Sequence, residues 1–596
     1  MNNFVLSKVE PPFWWAGMKI TQLQLMFYGA DISAFSISSA NLEILDITKT
    51  ENPNYLFVTI KTENLEAGEY EFQFKNQDEI IFTSNYVFKQ RVENSHLRKG
   101  FDSSDTMYLL MPDRFANGDP SNDSQPDLTE KANRSNLSGR HGGDIKGIID
   151  HLDYLEDLGV TALWCTPLCE NNQTENSYHG YAQTDVYTID QRFGSNEDYC
   201  KLSNELHKRD MKLIHDYVTN HWGSQHWMIK DLPAYDWIHQ FPGYSNTNHR
   251  MTTQYDPHTS QIDKKNCEDG WFVKSMPDLN QSNPLVLNYL IQNAIWWVEF
   301  ANLDGIRVDT FSYNEKNGIA VWTKAIIDEY PNLNIVGEVW LHRSAQISYW
   351  QKDSPIGAIQ NYNSHLPTVM DFTLHDTMGG MFYEEGSWGG ISRAYENMVN
   401  DFLYANPQNI LVFAENHDSA RINQVFQGDF NKYKLAMTLI LTTRGIPQIY
   451  YGSEIGMQGE KSKGDGDIRH DFPGGWPDDN QNAFVKEGRS EYQEKYHAFT
   501  KKLLNWRKNI TAVHKGKLLH YIPENNIYIY FRILDDQRIM IVLNNNPSEQ
   551  NIELDRFVEG LGHFTKGKEL FEETEIVFQK SLKIPGKSAF IIDLLG

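Results

Sequence analysis

Three carboxylates, Asp309, Glu338 and Asp418, each stand at the end of a short apolar run. In "GIRVDTFSY", Arg307 and Asp309 alternate with Ile306 and Val308. Residues two apart on a strand point the same way, about 6.6–7 Å apart, so a guanidinium and a carboxylate are aimed together. Glu338 has Val336, Val339 and Trp340 around it, "FAENHD" ends in Asn416, His417 and Asp418, and "DYVTNH" runs from Asp216 to His221. Such a set suits cleavage of a glycosidic bond. One carboxylate attacks the anomeric carbon, a second protonates the leaving oxygen and later activates water, and the rest support an oxocarbenium-like transition state. Arg307 beside Asp309 favours an ionised carboxylate, while the apolar neighbours of Glu338 push it toward an acid. Taken singly, a strand-end Asp or Glu is more often a cap or a surface charge. Together, on successive strand ends, they point to catalysis.

For these residues to meet, their strands must lie side by side with the same ends on one face. From about residue 105, strand candidates alternate with helical patterns: "TMYLLMPDRF", "VTALWCTPL", "MKLIHDYVTNH", "DGIRVDTFSY", "NIVGEVW", "TVMDFTL", "ILVFAENHD" and "GIPQIYYGSEIG". Eight strands interleaved with helices predict an α/β fold, a parallel (β/α)8 TIM barrel over 99–509, whose site lies at the C-terminal strand ends. One connection, about 222–280, is long, rich in Trp, Tyr, Pro and His, and short of helical period, which predicts an inserted small domain after strand three. Residues 1–98 read as alternating short strands ("QLQLMFYG", "YLFVTIK", "EYEFQFK") of an immunoglobulin-like β-sandwich, with "KQRVENSHLRKGFDSSD" as a polar linker. Residues 510–596 return to short strands and predict a C-terminal β-sandwich.

The bulk composition narrows the partners. Lys+Arg 54 against Asp+Glu 79 leaves a formal charge of −25 with no basic run, which argues against nucleic acid. No apolar stretch is long enough to span a membrane, and residues 1–20 show no signal peptide. The aromatic content of 13% suits a packed core and equally the C–H faces of sugars. Cys165, Cys169, Cys200 and Cys267 match no zinc spacing and read as buried thiols, with oxidised pairing the alternative. "RFANGDPSND" followed by "HGGD" clusters hard oxygen ligands, Asn117, Asp119, Asn122, Asp123 and Asp144, as a structural Ca2+ site needs; an Asn/Asp/Gly-rich surface turn is the plainer reading.

In their order and spacing, "DYVTNH", "GIRVDTFSY", "GEVW" and "FAENHD", with "MPDLN" at 276–280 and "YHGYAQTDVYTIDQRFG", resemble the signatures of the α-amylase family of glycoside hydrolases over roughly 105–510. The resemblance implies that Asp309 is the nucleophile, Glu338 the general acid/base and Asp418 the stabilising carboxylate. It implies that His179, Arg307, His221 and His417 bind around the sugar being cleaved, that Tyr181 stacks on it and that Asp216 braces the set. Asp465 and Arg469, in "GDGDIR", would contact the next sugar inward, and Trp340 the acceptor side. The calcium run looks like that of the cyclomaltodextrinase and neopullulanase branch, with Gly142 supplying a carbonyl.

The opening "EPPFWWAGM…LQLMFYG" looks most like periplasmic neopullulanase-type enzymes of starch-utilisation systems. The implied activity is a retaining hydrolase of α-1,4 bonds in cyclodextrins, pullulan and maltooligosaccharides, in the periplasm or alternatively the cytoplasm, as a homodimer. A transglycosylase of the same family, or a catalytically silent glucan-binding barrel, are the alternatives. "TFSYNE" after Asp309 and "MPDLN" depart from the branch pattern, both on the substrate-entry side.

Overall fold

Eight strands form the centre of the molecule: β1 (Met107–Leu110), β2 (Ala162–Cys165), β3 (Lys212–Val218), β4 (Gly305–Asp309), β5 (Asn334–Gly337), β6 (Thr368–Met370), β7 (Ile410–Phe413) and β8 (Ile446–Tyr450). The structure, a computed structural model, describes residues 6–383 and 388–595. The strands pair in parallel in chain order, and β8 closes on β1. Except for half-buried Lys212, every strand residue is buried, as in a sheet covered on both sides, which is why the segments read as near-continuous apolar runs. Register sets the later chemistry, because Asp216 lies opposite Arg307 and Val218 opposite Asp309. All eight predicted strands are present.

The N-terminal domain is two four-stranded sheets. One pairs Lys8–Glu10, Gln22–Tyr28, Tyr55–Lys61 and Ile44–Thr48; the other pairs Trp14–Ala16, Glu79–Gln90, Gly68–Asn76 and Ser36–Ser38. Phe27 of the first sheet packs edge-on between Phe72 and Phe74 of the second, each ring centroid 5.3 Å away. The domain is locked to the barrel. Asp231, in the insertion, accepts hydrogen bonds from Tyr28 Oη (3.0 Å), Asn52 Nδ2 (2.6 Å) and Asn54 Nδ2 (2.9 Å). Gln24 and Gln292, the latter on the helix Pro284–Phe300, exchange two bonds of 2.8 Å. The expected linker is pinned rather than loose: Arg91 bonds Glu329 at 2.6 Å, and Arg91 and Arg98 each reach Glu299 at 3.3 Å. A polar run gives no period to read when its side chains are spent on ion pairs.

After β3 the insertion holds the short helices Trp227–Lys230 and Gln261–Asp269 and, among the described residues, no sheet of its own. Gln261–Asp269 buries only Cys267 and Asp269, so its sequence shows no apolar stripe. The C-terminal domain is a six-stranded sheet (Lys517–His520, Ile527–Leu534, Gln537–Asn544, Ser588–Leu595, Lys566–Glu569, Glu575–Val577) and a two-stranded one (Gln550–Glu553, Ser581–Ile584). Its own core forms around Phe531, Met540 and Ile592. All four cysteines are free thiols, three of them buried. Among the described residues no helix is long and apolar enough to cross a membrane.

Glu329 is sealed from solvent and draws its compensation from Arg91 and the backbone N–H groups of Lys19 and Ile20. Arg91→Ala leaves that charge short of a partner and is expected to cost about 3 kcal/mol, read as an early transition of the N-terminal domain in urea unfolding.

Candidate active site

The site is built around one side chain. Arg307, 1% exposed, donates from Nη1 to Asp216 Oδ1 (2.9 Å) and Asp309 Oδ1 (2.8 Å), and its Nη2 lies 3.0 Å from Glu338 Oε2. Three adjacent strands, β3, β4 and β5, therefore deliver three carboxylates to one guanidinium. Asp216 is braced further by Trp164 Nε1 (2.8 Å, from β2) and Tyr181 Oη (2.9 Å) on its Oδ2. Tyr181 Oη also lies 2.7 Å from His417 Nε2, with the two rings stacked at 5.5 Å. His179 stacks on the other side of this pair, 5.8 Å from Tyr181. On the far wall Arg469 Nη2 bonds Asp418 Oδ1 (2.8 Å) and Asp465 Oδ2 (3.1 Å), and its Nε donates to the His417 carbonyl (2.8 Å).

These groups open on a cavity of about 730 Å³ at the C-terminal strand ends, lined by His179, Tyr181, His221, Asp309, Glu338, Trp340, Asp418, Asp465 and Arg469. Asp216, Arg307 and His417 lie behind that lining and hold it. All twelve catalytic and sugar-binding candidates thus fall in one place. Trp340 is stacked on Phe372 at 4.9 Å, which fixes its ring in the wall. The insertion and the tail of β4 supply a further part of the wall through His249, Phe272, Met276 and Tyr313.

Residues 109–511 match the family model described as "Alpha amylase, catalytic domain". The chain belongs to the α-amylase family. Residues 8–92 match the N-terminal domain, and 518–593 the C-terminal domain, of cyclomaltodextrinases. Neopullulanase 2 of Thermoactinomyces vulgaris is 30% identical over 82% of this chain and 75% of its own length. A cyclomaltodextrinase of Thermoanaerobacter pseudethanolicus is 27% identical over 86% of this chain and 82% of its own. Among solved structures, an α-amylase from Geobacillus thermoleovorans complexed with acarbose superposes with a TM-score of 0.68 at 26% identity, covering 83% of this chain and 99% of that one.

In this α-amylase family barrel the electrostatics separate the carboxylates. Burial, with the charges of Asp309 and Asp418, pushes Glu338 up to about 7 despite Arg307. Burial also lifts Asp309 to about 6 and Asp216 to about 6. Here the expectation needs correction: Arg307 limits the rise of Asp309 but does not reverse it, because one guanidinium is shared among three buried carboxylates. Asp418 is different. Burial raises it, yet the charge of His417 where that ring is protonated, and that of Arg469, outweigh burial; at ordinary pH His417 is neutral and Arg469 holds Asp418 well below the usual carboxylate range. Burial lowers His179, His221 and His417 to about 3, so all three are neutral hydrogen-bonding groups at ordinary pH.

Two participants are absent from the sequence reading. Trp164 looked like one more core residue of β2, and only the closed barrel turns its N–H onto Asp216. Thr310, directly after Asp309, has φ 46°, a left-handed conformation rare for a β-branched residue. That turn aims its backbone N–H at Glu338 Oε2, 2.9 Å away, and strained backbone of this kind clusters at functional sites. Nothing in residue type alone announces it.

The Asn/Asp run lies apart from the cleft. Asn117 Oδ1 and Asn122 Oδ1 are buried without a hydrogen-bond partner, while their amides donate to Asp123 Oδ1 (2.8 Å) and Asp144 Oδ2 (3.1 Å). Asp144 also caps the following helix through Gly147 N (2.6 Å). Gly142, at φ +92°, comes so close to Asp123 that a Cβ there would stand 2.7 Å from its carboxylate. Burial and the neighbouring Asp144, Asp113 and Asp119 charges lift Asp123 to about 6. Asp119 is the outlier, its carboxylate turned to Ser121. Among the described residues no three His, Cys, Asp or Glu side chains cluster as metal ligands, but orphaned amide oxygens beside an uncompensated carboxylate fit a hard cation.

Because Glu338 binds its proton more tightly folded than unfolded, the folded chain holds the extra proton between about pH 4.5 and 7, and stability falls as pH rises through that window. Glu338→Gln removes Glu338's share of this slope, leaving that of Asp309 and Asp216 at lower pH, and is expected to be more stable than the parent at pH 8 by at least about 1 kcal/mol, measured as thermal midpoints across pH.

Proposed function

We propose that this protein is a retaining α-glucan hydrolase that cuts α-1,4 bonds of cyclodextrins, pullulan and maltooligosaccharides. The observation that carries the reading is the pair Asp309 and Glu338 on one guanidinium, with Glu338 raised to about 7 and so able to hold a proton at neutral pH. Asp309 attacks the anomeric carbon while Glu338 gives its proton to the leaving glycosidic oxygen, so the C–O bond breaks as the Asp309 ester forms. Glu338, now ionised, takes a proton from water; the hydroxide displaces Asp309, and the product keeps the α configuration. Asp418, held ionised by Arg469, stabilises the positive charge developing on the ring and holds sugar hydroxyls. Neutral His179, His221 and His417 supply hydrogen bonds without adding a cation that would oppose that charge. Tyr181 stacks on the ring, Asp465 and Arg469 take the next sugar inward, and Trp340 flanks the acceptor.

Calcium is proposed at the Asn/Asp loop, with Asn117, Asn122, Asp123, Asp144 and the Gly142 carbonyl as ligands and a structural role only; Asp119, bonded to Ser121, joins them only by turning its carboxylate. Removal of the ion with EDTA is expected to lower the thermal midpoint and added Ca2+ to restore it; an unchanged midpoint contradicts the site. The branch resemblance supports a periplasmic enzyme. The exposed Ile80 and Ile81 on the N-terminal domain suit a homodimer contact, which light scattering checks.

Initial rates on β-cyclodextrin, pullulan, maltotriose and soluble starch test the reading. The expected order puts the first three above starch, and Asp309→Asn is expected to lose on the order of 10⁴-fold in kcat. Starch ahead by a wide margin, or parental activity in Asp309→Asn, contradicts it.

A further inference from the structure

The insertion's wall of the cleft is held from behind by an ion cluster that the mechanism does not use. His239 Nδ1 lies 2.7 Å from Asp278 Oδ2, and its Nε2 3.5 Å from Asp269 Oδ1. Asp278 turns its other oxygen to Asn220 Nδ2 at 3.0 Å, and Asn220 immediately precedes the cleft residue His221. The backbone repeats the link: His221 bridges Asp278, Ile238 bridges Leu279, His239 N donates to Asp278 O (3.0 Å) and Leu279 N to Asn220 O (2.9 Å). Trp271 Nε1 donates to the His239 carbonyl at 2.7 Å. The next residue, Phe272, stacks on His221 at 5.4 Å and lines the cleft with Met276.

We propose that His239 is a pH-sensitive positioning residue, its imidazolium clamped between Asp278 and Asp269 so that the insertion's wall stays seated on His221. Nδ1 makes a hydrogen bond to Asp278 and Nε2 faces Asp269 at ion-pair distance, so a proton on the second nitrogen adds attraction to both carboxylates. The charged groups facing it are Asp278, Asp269 and one opposing cation, Lys265, which pairs with Asp269 on the outer side. Asp278 is 3% exposed while the imidazole is 19% exposed, so the carboxylate is sealed but the ring can exchange its proton with solvent. Burial alone would lower His239; the Asp278 hydrogen bond and the two carboxylate charges outweigh it and raise it above 6.5. Burial lifts Asp278 as well, to about 7, so the two groups share a proton: the pair keeps it below about pH 7 and loses it as pH rises through the raised His239 value. Loss of that proton leaves Asp278 a buried anion facing the neutral N–H groups of His239 and Asn220 and ends the attraction to Asp269, which frees the Phe272–Met276 wall to move.

Hydrogen–deuterium exchange on the full chain, read by mass spectrometry over peptides covering 236–280 and corrected for intrinsic rates, tests this directly. In the parent, protection of these peptides is expected to fall about tenfold between pH 6.5 and 9. His239→Asn keeps a donor near Nδ1 but cannot carry the charge, so its protection is expected to be low and flat with pH. Its KM for maltooligosaccharides is expected to rise about tenfold, with kcat within about threefold. Asp269→Asn, which keeps the histidine, is expected to move the parental transition to lower pH and decides the matter if His239→Asn does not fold. Parental pH dependence in His239→Asn, or no shift in Asp269→Asn, overturns the proposal. The kinetic arm rests on the hydrolase reading and the exchange arm does not: a parent that cleaves no α-glucan sinks that reading while leaving the exchange result to stand.

Discussion

A guanidinium sealed from solvent cannot give up its charge, so the carboxylates around it must share what it supplies. Arg307 meets Asp216, Asp309 and Glu338 within 3.0 Å, one positive charge for three potential negatives. In a buried setting that imbalance is resolved by protonation, and Glu338, pressed by burial and by the charges of both Asp309 and Asp418, is raised to the highest value of the three. Asp216 has Trp164 and Tyr181 besides Arg307, Glu338 has one backbone donor, Thr310 N, and Asp309 has Arg307. The shortage of positive charge on this wall is thus what lets Glu338 hold a proton near neutral pH. Across the cleft, Arg469 gives Asp418 a cation of its own, and that carboxylate stays ionised. Two arginines, unequally loaded, divide the roles.

The barrel, the N-terminal domain and the insertion hold those walls in place. The barrel supplies register, since parallel pairing sets Asp216 opposite Arg307. The N-terminal domain reaches the cleft indirectly, by gripping the insertion at Asp231 and the helix Pro284–Phe300 at Gln292. The insertion in turn carries Phe272 and Met276 into the cavity.

Much of this was legible in the amino-acid order. The eight strands announced themselves as apolar runs because both faces of a closed parallel barrel are covered, and the candidate nucleophile Asp309 because a strand period of two aims it with Arg307. What escaped was of two kinds. Long-range partners such as Trp164 and the His239–Asp278–Asp269 cluster have no local signature, since segments far apart in the chain must first meet. Collective electrostatics escaped too: "Arg beside Asp" suggested a lowered Asp309, and only the structure shows that Asp216 and Glu338 compete for the same guanidinium. The left-handed turn at Thr310 belongs with the first kind, because only its target, Glu338, explains it.

The central claim is that Asp309 forms a covalent bond to the sugar while Glu338 handles the proton. Incubation with an activated fluorinated glucosyl fluoride, followed by peptide mass spectrometry, tests it most directly. The account predicts a glucosyl adduct on the peptide carrying residues 305–313, at Asp309, and an α-configured first product from natural substrate. An adduct at Glu338 or Asp418, or a β-configured first product, would contradict it.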